Sequence, residues 1–292
     1  MTERFARFVA IDWSGAAGPR QPGIAVALCE PGDAAPVLVR PGHVWSREEV
    51  GDWLLPAAAE APTLFGFDLS PTLPYADQGA YFPGWHDSPV DARDLWRLIE
   101  RLTGHEPNLG AQGFVDDPQA SRYFRRHGGR TGDRFGAAGA GRLRIVEIAS
   151  REQGIANPYS CFNLVGAAQV GKSCLTGMRL FHRIDGRVPI WPIDPLPGDG
   201  SCIVEIYTSI AAIAAGVQRG RTKLRDGGSL DKALAVLGSK PHRPLARYSD
   251  HATDALLTAA WLRREAERDE FWSPRLLTAS LAATEGWTFG VG

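Results

Sequence analysis

Apolar positions along the chain fall into short runs broken by turn residues. Residues 7–12 (RFVAID) form an apolar run that stops at an acid. A Gly/Pro stretch separates it from 24–30 (IAVALCE), and 36–45 (PVLVRPGHVW) makes a third run. Runs of this length divided by turn chemistry predict three strands in an antiparallel meander. Ser46–Glu49 (SREE) then spells a capping box, and Val50, Trp53, Leu54 and Ala57 recur at helical spacing to about Ala61. Residues 63–68 (TLFGFD) are a further strand, again ending in an acid. Three strands, a helix and a strand make a mixed sheet, not the strict alternation of a doubly wound fold.

The middle is less regular. Ser88 as N-cap with Pro89 at the first helical position predicts a helix through DARDLWRLIERLTG. DPQASRYFRRHGG predicts another helix, and RTGDRFGAAGAGRLR a loop. Residues 201–209 (SCIVEIYTS) give one more strand reaching Glu205, followed by helical patterns in IAAIAAG and GSLDKALAVLG. SDHATDALLTAAWLRREAERDE is the strongest helix, with Ala255, Leu256, Ala259, Ala260 and Leu262 on its apolar face and Asp250 as an ordinary capping acid. Ser273 and Pro274 open a last helix, and GWTFGV closes as a short strand. With no repeat or clear linker, the expectation is a single α/β domain over 1–292, with an insertion at about 70–200.

Composition narrows the class. Among 292 residues, 44% are hydrophobic and 22% charged, as in a globular protein with a real core. The net charge of −1 gives no global pull towards nucleic acid or an anionic membrane, so a polyanion would need a local basic patch. Cys29, Cys161, Cys174 and Cys202 are scattered without a C-x-x-C pair, which argues against a zinc site or disulfide framework and for a reduced, cytoplasmic setting. The first apolar run is too short for a signal peptide, and no stretch approaches the roughly 20 apolar residues of a membrane span.

The strand-ending acids carry the chemistry. Asp12, Asp68 and Glu205 each follow an apolar run bound for a sheet core. A single acid there is ordinarily a turn or capping residue. Three on neighbouring strands would raise one another's pKa, a conflict that a divalent cation relieves. Asp254 and His251, three apart at the start of the strongest helix, share a face and complete the set. Two cations on such a cluster would activate water for phosphodiester cleavage, with His251 as ligand or base.

The order FVAIDWSG, FGFDLS, IVEIYTS and HATDALLTAAWL resembles the ribonuclease-H-like nuclease superfamily, and within it the domain-of-unknown-function 429 family of predicted nucleases. The likeness spans most of the chain; NLVGAAQVGKSCLTGM, VPIWPID and EGWTFGV resemble family segments too. It implies a mixed five-stranded sheet with helices on both faces and a carboxylate cluster on the central strands. It also implies a metal-dependent phosphodiester hydrolase using Mg2+ or Mn2+, with Asp12, Asp68, Glu205 and Asp254 as ligands. The family pattern often places Asp where this chain has His251.

Two other features remain. Gly166–Ser173 (GAAQVGKS) fits the phosphate-loop pattern, which requires a strand before it and a helix after it. The preceding CFNLV is a poor strand, and VPIWPID, ending at Asp194, contains two prolines. The favoured reading is a glycine-rich turn into a helix, with Lys172 able to grip a substrate phosphate. Eight arginines between Arg122 and Arg151, among them Arg142 and Arg144, form the one basic concentration, either solvated surface or a clamp on a phosphate backbone. The competing functions are an ATP-binding or phosphoryl-transfer enzyme, through the 166–173 loop or an actin-like plan, and a non-catalytic binding module.

Overall fold

The computed structural model describes residues 4–136, 140–166, 169–218 and 223–292. Residues 137–139 of the arginine-rich segment and 167–168 of the glycine loop lie outside the described residues, as do 1–3 and 219–222. β1 (Arg7–Asp12) pairs antiparallel with β2 (Ala25–Cys29), and β2 with β3 (Val37–Leu38). On its other side β1 runs parallel to β4 (Thr63–Phe67). β4 is parallel to β6 (Cys202–Glu205), and β6 to the edge strand β5 (Ile190–Trp191). The six strands lie in the order β3-β2-β1-β4-β6-β5. The mixed sheet expected from the strand–strand–strand–helix–strand order is present, with six strands where the resemblance implies five, because Ile190–Trp191 adds an edge strand beyond β6. The third run pairs only over its start, because Arg40 turns the chain away at φ 53° after Val39. Pro189 and Pro192 flank β5, and the strand between them is confined to the edge, where missing donors cost least.

Side chains of a strand alternate between faces, and each face carries its own core. Val9, Ile11, Phe65, Phe67 and Ile203 point to one side. There they meet α1 (Arg47–Glu60), α2 (Ala92–Thr103) and α5 (Gly171–Ile184) through Leu54, Ile99 and Phe181. Phe8, Ala10, Leu64, Cys202 and Val204 point to the other side. That face is covered by α6 (Thr208–Ala214), α7 (Gly227–Val236) and α8 (Asp250–Glu265). α8 buries Leu256, Leu257, Trp261 and Leu262, each side chain contributing about 1.5–3 kcal/mol by leaving water. Its close approach depends on Gly66 in β4: a Cβ there would stand 2.7 Å from Ile206 and 2.8 Å from Leu262.

The segment between β4 and β6 adds α2, α3 (Gln112–Asp116), α4 (Ile145–Glu152), α5 and β5, and α9 (Asp269–Trp272) and α10 (Ala279–Thr284) follow α8. Several predicted boundaries move, each for a local reason. α1 keeps its capping box at Ser46 and Glu49. α2 is capped by Asp91, whose carboxylate accepts from the Asp94 N–H at 2.8 Å, while Ser88 instead accepts from the Phe82 N–H at 3.1 Å. The helix predicted over 117–129 is reduced to a 3-10 turn, Ala120–Tyr123. Tyr123 and Phe124 leave it to pack against Phe82, Phe114 and Phe162. α8 is capped by Ser249 rather than Asp250, which pairs with Arg225 at 3.3 Å. The last helix starts behind Thr278, not Ser273. GWTFGV makes one bridge, Thr288 to Glu205, in place of a strand. Among the described residues no helix is long and apolar enough to cross a membrane.

Candidate functional site

Parallel pairing of β1, β4 and β6 brings their carboxyl ends to one edge of the sheet. Asp12 is the last residue of β1 and is buried on the α8 face. Asp68 is the first residue past β4; its N–H donates to the Ile11 carbonyl at 2.9 Å, so the ladder continues and the side chain keeps the parity of Leu64 and Gly66. Asp254 is buried in the second turn of α8. His251, three residues earlier, brings Nδ1 to 3.2 Å from Asp12 Oδ2. The Thr208 hydroxyl donates to Asp68 Oδ2 at 3.3 Å. The ammonium of Lys223 forms an ion pair with Asp254.

The charge of Asp12 acts on both Asp68 and Asp254. Burial pushes Asp68 up to about 8, and the charges of Asp12 and Asp254 push the same way. Asp68 lines a pocket and keeps some contact with water, so solvent moderates this effect. Burial likewise raises Asp254 to about 6, against the pull of Lys223. Burial works against the Lys223 ammonium, but the charges of Asp254, Asp12 and Asp68 outweigh it and raise its pKa. The hydrogen bond to Asp12 raises His251. Lys223 therefore supplies the positive charge that partly compensates three converging carboxylates.

Glu205 is not in this group. It pairs in register with Phe67, not Asp68, so alternation turns it to the opposite face of the sheet. There Arg144 binds both of its oxygens, at 2.5 and 2.8 Å, and Thr288 donates to Oε1 at 2.8 Å. Arg144 also holds Glu147 at 3.0 Å, the Glu285 carbonyl at 2.9 Å and the Ser70 hydroxyl at 2.8 Å. Burial opposes the guanidinium charge, yet Glu205 and Glu147 hold its pKa well above the usual arginine value. Burial raises Glu147 despite Arg144 beside it. A pocket of about 160 Å³ lies at this strand edge, with Asp68 on one wall and Glu205 and Arg144 on another.

The arginines expected to face substrate are placed otherwise. Arg144 is fully enclosed. Arg142 is buried too, bound to Asp77 at 2.5 and 2.9 Å and to the Tyr81 carbonyl at 2.7 Å. Arg122 and Arg126 pair with Asp133 and Asp116. Asp133 and Glu147 within the stretch, and Asp77, Asp116 and Glu205 from elsewhere, thus neutralise much of a segment that looks basic when read linearly. Lys172 is half-buried, with Nζ 2.9 Å from His127 Nε2. The 166–173 segment has the helix a phosphate loop needs, α5, but among the described residues no strand before it, only the isolated bridge of Asn163 to Arg125. The first turn of α5 abuts the turn after β1: a Cβ on Gly15 would meet the Lys172 and Ser173 backbone at 2.4 Å. Buried Arg47 fixes that turn by donating to the Ser14 carbonyl at 2.9 Å and also to that of Ala16.

Carboxylates are the donors a hard cation takes, and charge effects link Asp12 and Asp254 to Asp68. Among the described residues, however, no group of three His, Cys, Asp or Glu side chains is placed to hold a metal ion. Lys223 occupies the position of the counter-charge instead. Comparison of the chain with protein families, with curated proteins and with solved structures finds no match.

Proposed function

We propose that the protein is a phosphodiester hydrolase of the ribonuclease-H-like type, dependent on Mg2+ or Mn2+. The observation that carries this reading is the convergence of Asp12, Asp68 and Asp254 around the single ammonium of Lys223. The mixed sheet, helices on both faces and acids at the ends of β1 and β4 support the family resemblance. With Glu205 held by Arg144, three carboxylates remain, a set suited to one cation rather than two. Bound by Asp12, Asp68 and Asp254 in exchange for Lys223, the cation would supply charge stabilisation at the phosphoryl oxygens.

The chain itself supplies the proton chemistry. Asp12 holds the Nδ1 side of His251, while Nε2 has no hydrogen-bond partner among the described residues. A neighbouring acid keeps this imidazole basic and oriented, the arrangement of a general base for an attacking water. Lys223, released from Asp254, can donate to the departing oxygen. The Thr208 hydroxyl orients Asp68. The test is hydrolysis of bis(p-nitrophenyl) phosphate and of a labelled oligonucleotide with and without Mn2+. Cleavage that needs the cation, vanishes in Asp68→Asn and falls about 10²-fold or more in His251→Ala supports the reading. Cation-independent cleavage, or cleavage unaffected by Asp68→Asn, rejects it.

A further inference from the structure

A groove of about 710 Å³ runs beside the acid cluster, between the β2–β3 edge and the segment leading into α8. Ser249 and His251 line it, and since His251 Nδ1 is 3.2 Å from Asp12, the groove adjoins the Asp12 side of the cluster. Among the described residues no aspartate or glutamate lines it. Its three histidines are each tied to an acid behind the wall, His43 to Glu49, His242 to Asp231 and His251 to Asp12. Its fixed charge comes from three exposed arginines, Arg40, Arg243 and Arg247. Arg40 stacks on Trp45, 4.9 Å from the ring centroid, and none of the three has an acid within ion-pair distance among the described residues. In a chain of net charge −1, whose buried arginines are largely paired, three such guanidiniums along one acid-free groove are a local concentration of positive charge. Between them the wall is apolar, with Ile24, Val37, Pro41, Pro244 and Leu245.

We propose that this groove binds one strand of nucleic acid and leads its phosphate backbone to the acid cluster. The arginines fit the phosphates, and the apolar wall fits base faces, which a single strand exposes and a duplex keeps stacked inside. The proposal rests on the hydrolase reading for its purpose but not for its test.

The test is fluorescence anisotropy of the full chain with a labelled 20-nucleotide single strand, in EDTA so that nothing is cleaved. Wild type is compared with the triple variant Arg40→Gln/Arg243→Gln/Arg247→Gln and with Asp68→Asn. Each phosphate deprived of its guanidinium partner takes about 0.7 off the slope of log affinity against log salt. The triple variant is therefore expected to bind at least about tenfold more weakly at low salt, with a slope shallower by about 2. Asp68→Asn is expected to bind no more weakly than wild type. Unchanged affinity and slope in the triple variant overturn the proposal. So does a duplex bound more tightly than the single strand, or equal displacement by polyglutamate, which would make an acidic polypeptide the occupant. Arginine-dependent strand binding without cation-dependent cleavage upholds the groove and sinks the hydrolase; cation-dependent cleavage of bis(p-nitrophenyl) phosphate with arginine-independent strand binding does the reverse.

Discussion

Replacing Arg144 by Met tests the division of the acids into two groups. Methionine keeps the apolar stem and removes the charge between Glu205 and Glu147, which are 6% and 3% exposed. Removing one partner of a buried pair costs about 3–5 kcal/mol, because the other charge stays buried. An independent limit comes from protonation. Glu147 keeps its bond from the residue-144 backbone N–H, so Glu205 is the carboxylate stranded; it takes up a proton, which at neutral pH costs about 1.4 kcal/mol for each pH unit above the ordinary glutamate value near 4.3, about 3.7 kcal/mol for that one group. The two routes agree on a loss of about 4 kcal/mol. The sign of the pH dependence follows. The stranded carboxyl has a folded pKa above its unfolded value, so it is harmless at low pH and the penalty grows as pH rises. At pH 5 the same arithmetic leaves about 1 kcal/mol. Urea unfolding followed by tryptophan fluorescence at both pH values measures it. A loss below about 1 kcal/mol at neutral pH, or one that does not shrink on acidification, would refute the argument and return Glu205 to the candidate ligands.

Other consequences bear on the cluster and its surroundings. Asp68 has a folded pKa raised to about 8, so cation-free protein should lose stability as pH rises from the ordinary carboxylate range towards that value. Asp68→Asn should flatten this decline in a melting-temperature series, and an unchanged slope would contradict the placement of Asp68. Lys223→Gln removes the ammonium that competes for Asp254 and should tighten Mn2+ binding about tenfold by calorimetry, equivalent to about 1.4 kcal/mol; weaker binding would count against the exchange. Gly15→Ala forces a methyl onto the backbone of Lys172 and Ser173 and should cost about 1–3 kcal/mol in chemical unfolding, whereas a neutral result would mean the β1 turn does not rest on α5.

The sheet and the capping box of α1 were legible because local signals and the global packing agree there. The middle was not. Tyr123 and Phe124 abandon a helical pattern for an aromatic cluster assembled from distant residues, which no local periodicity records. For the site, RFVAID, TLFGFD and HATD lead to Asp12, Asp68 and Asp254, and the charges of Asp12 and Asp254 both act on Asp68. Glu205 looked identical to them in sequence. Its face is set by register: pairing with Phe67 puts it one step out of phase with Asp68. That phase was readable in principle, since Ile203 shares its parity and packs with Phe65 and Phe67, but only once the register was known. Lys223 and the arginines of the groove carried no motif. They matter through what lies beside them: acids around Lys223, and, among the described residues, no acid lining the groove of Arg40, Arg243 and Arg247.

The most direct test is a calorimetric titration of Mn2+ into wild type, Asp12→Asn, Asp68→Asn and Asp254→Asn at neutral pH. Three carboxylates sharing one cation predict saturable binding in wild type, weakened at least about tenfold by each substitution. No binding in wild type, or binding that survives all three substitutions, would contradict it.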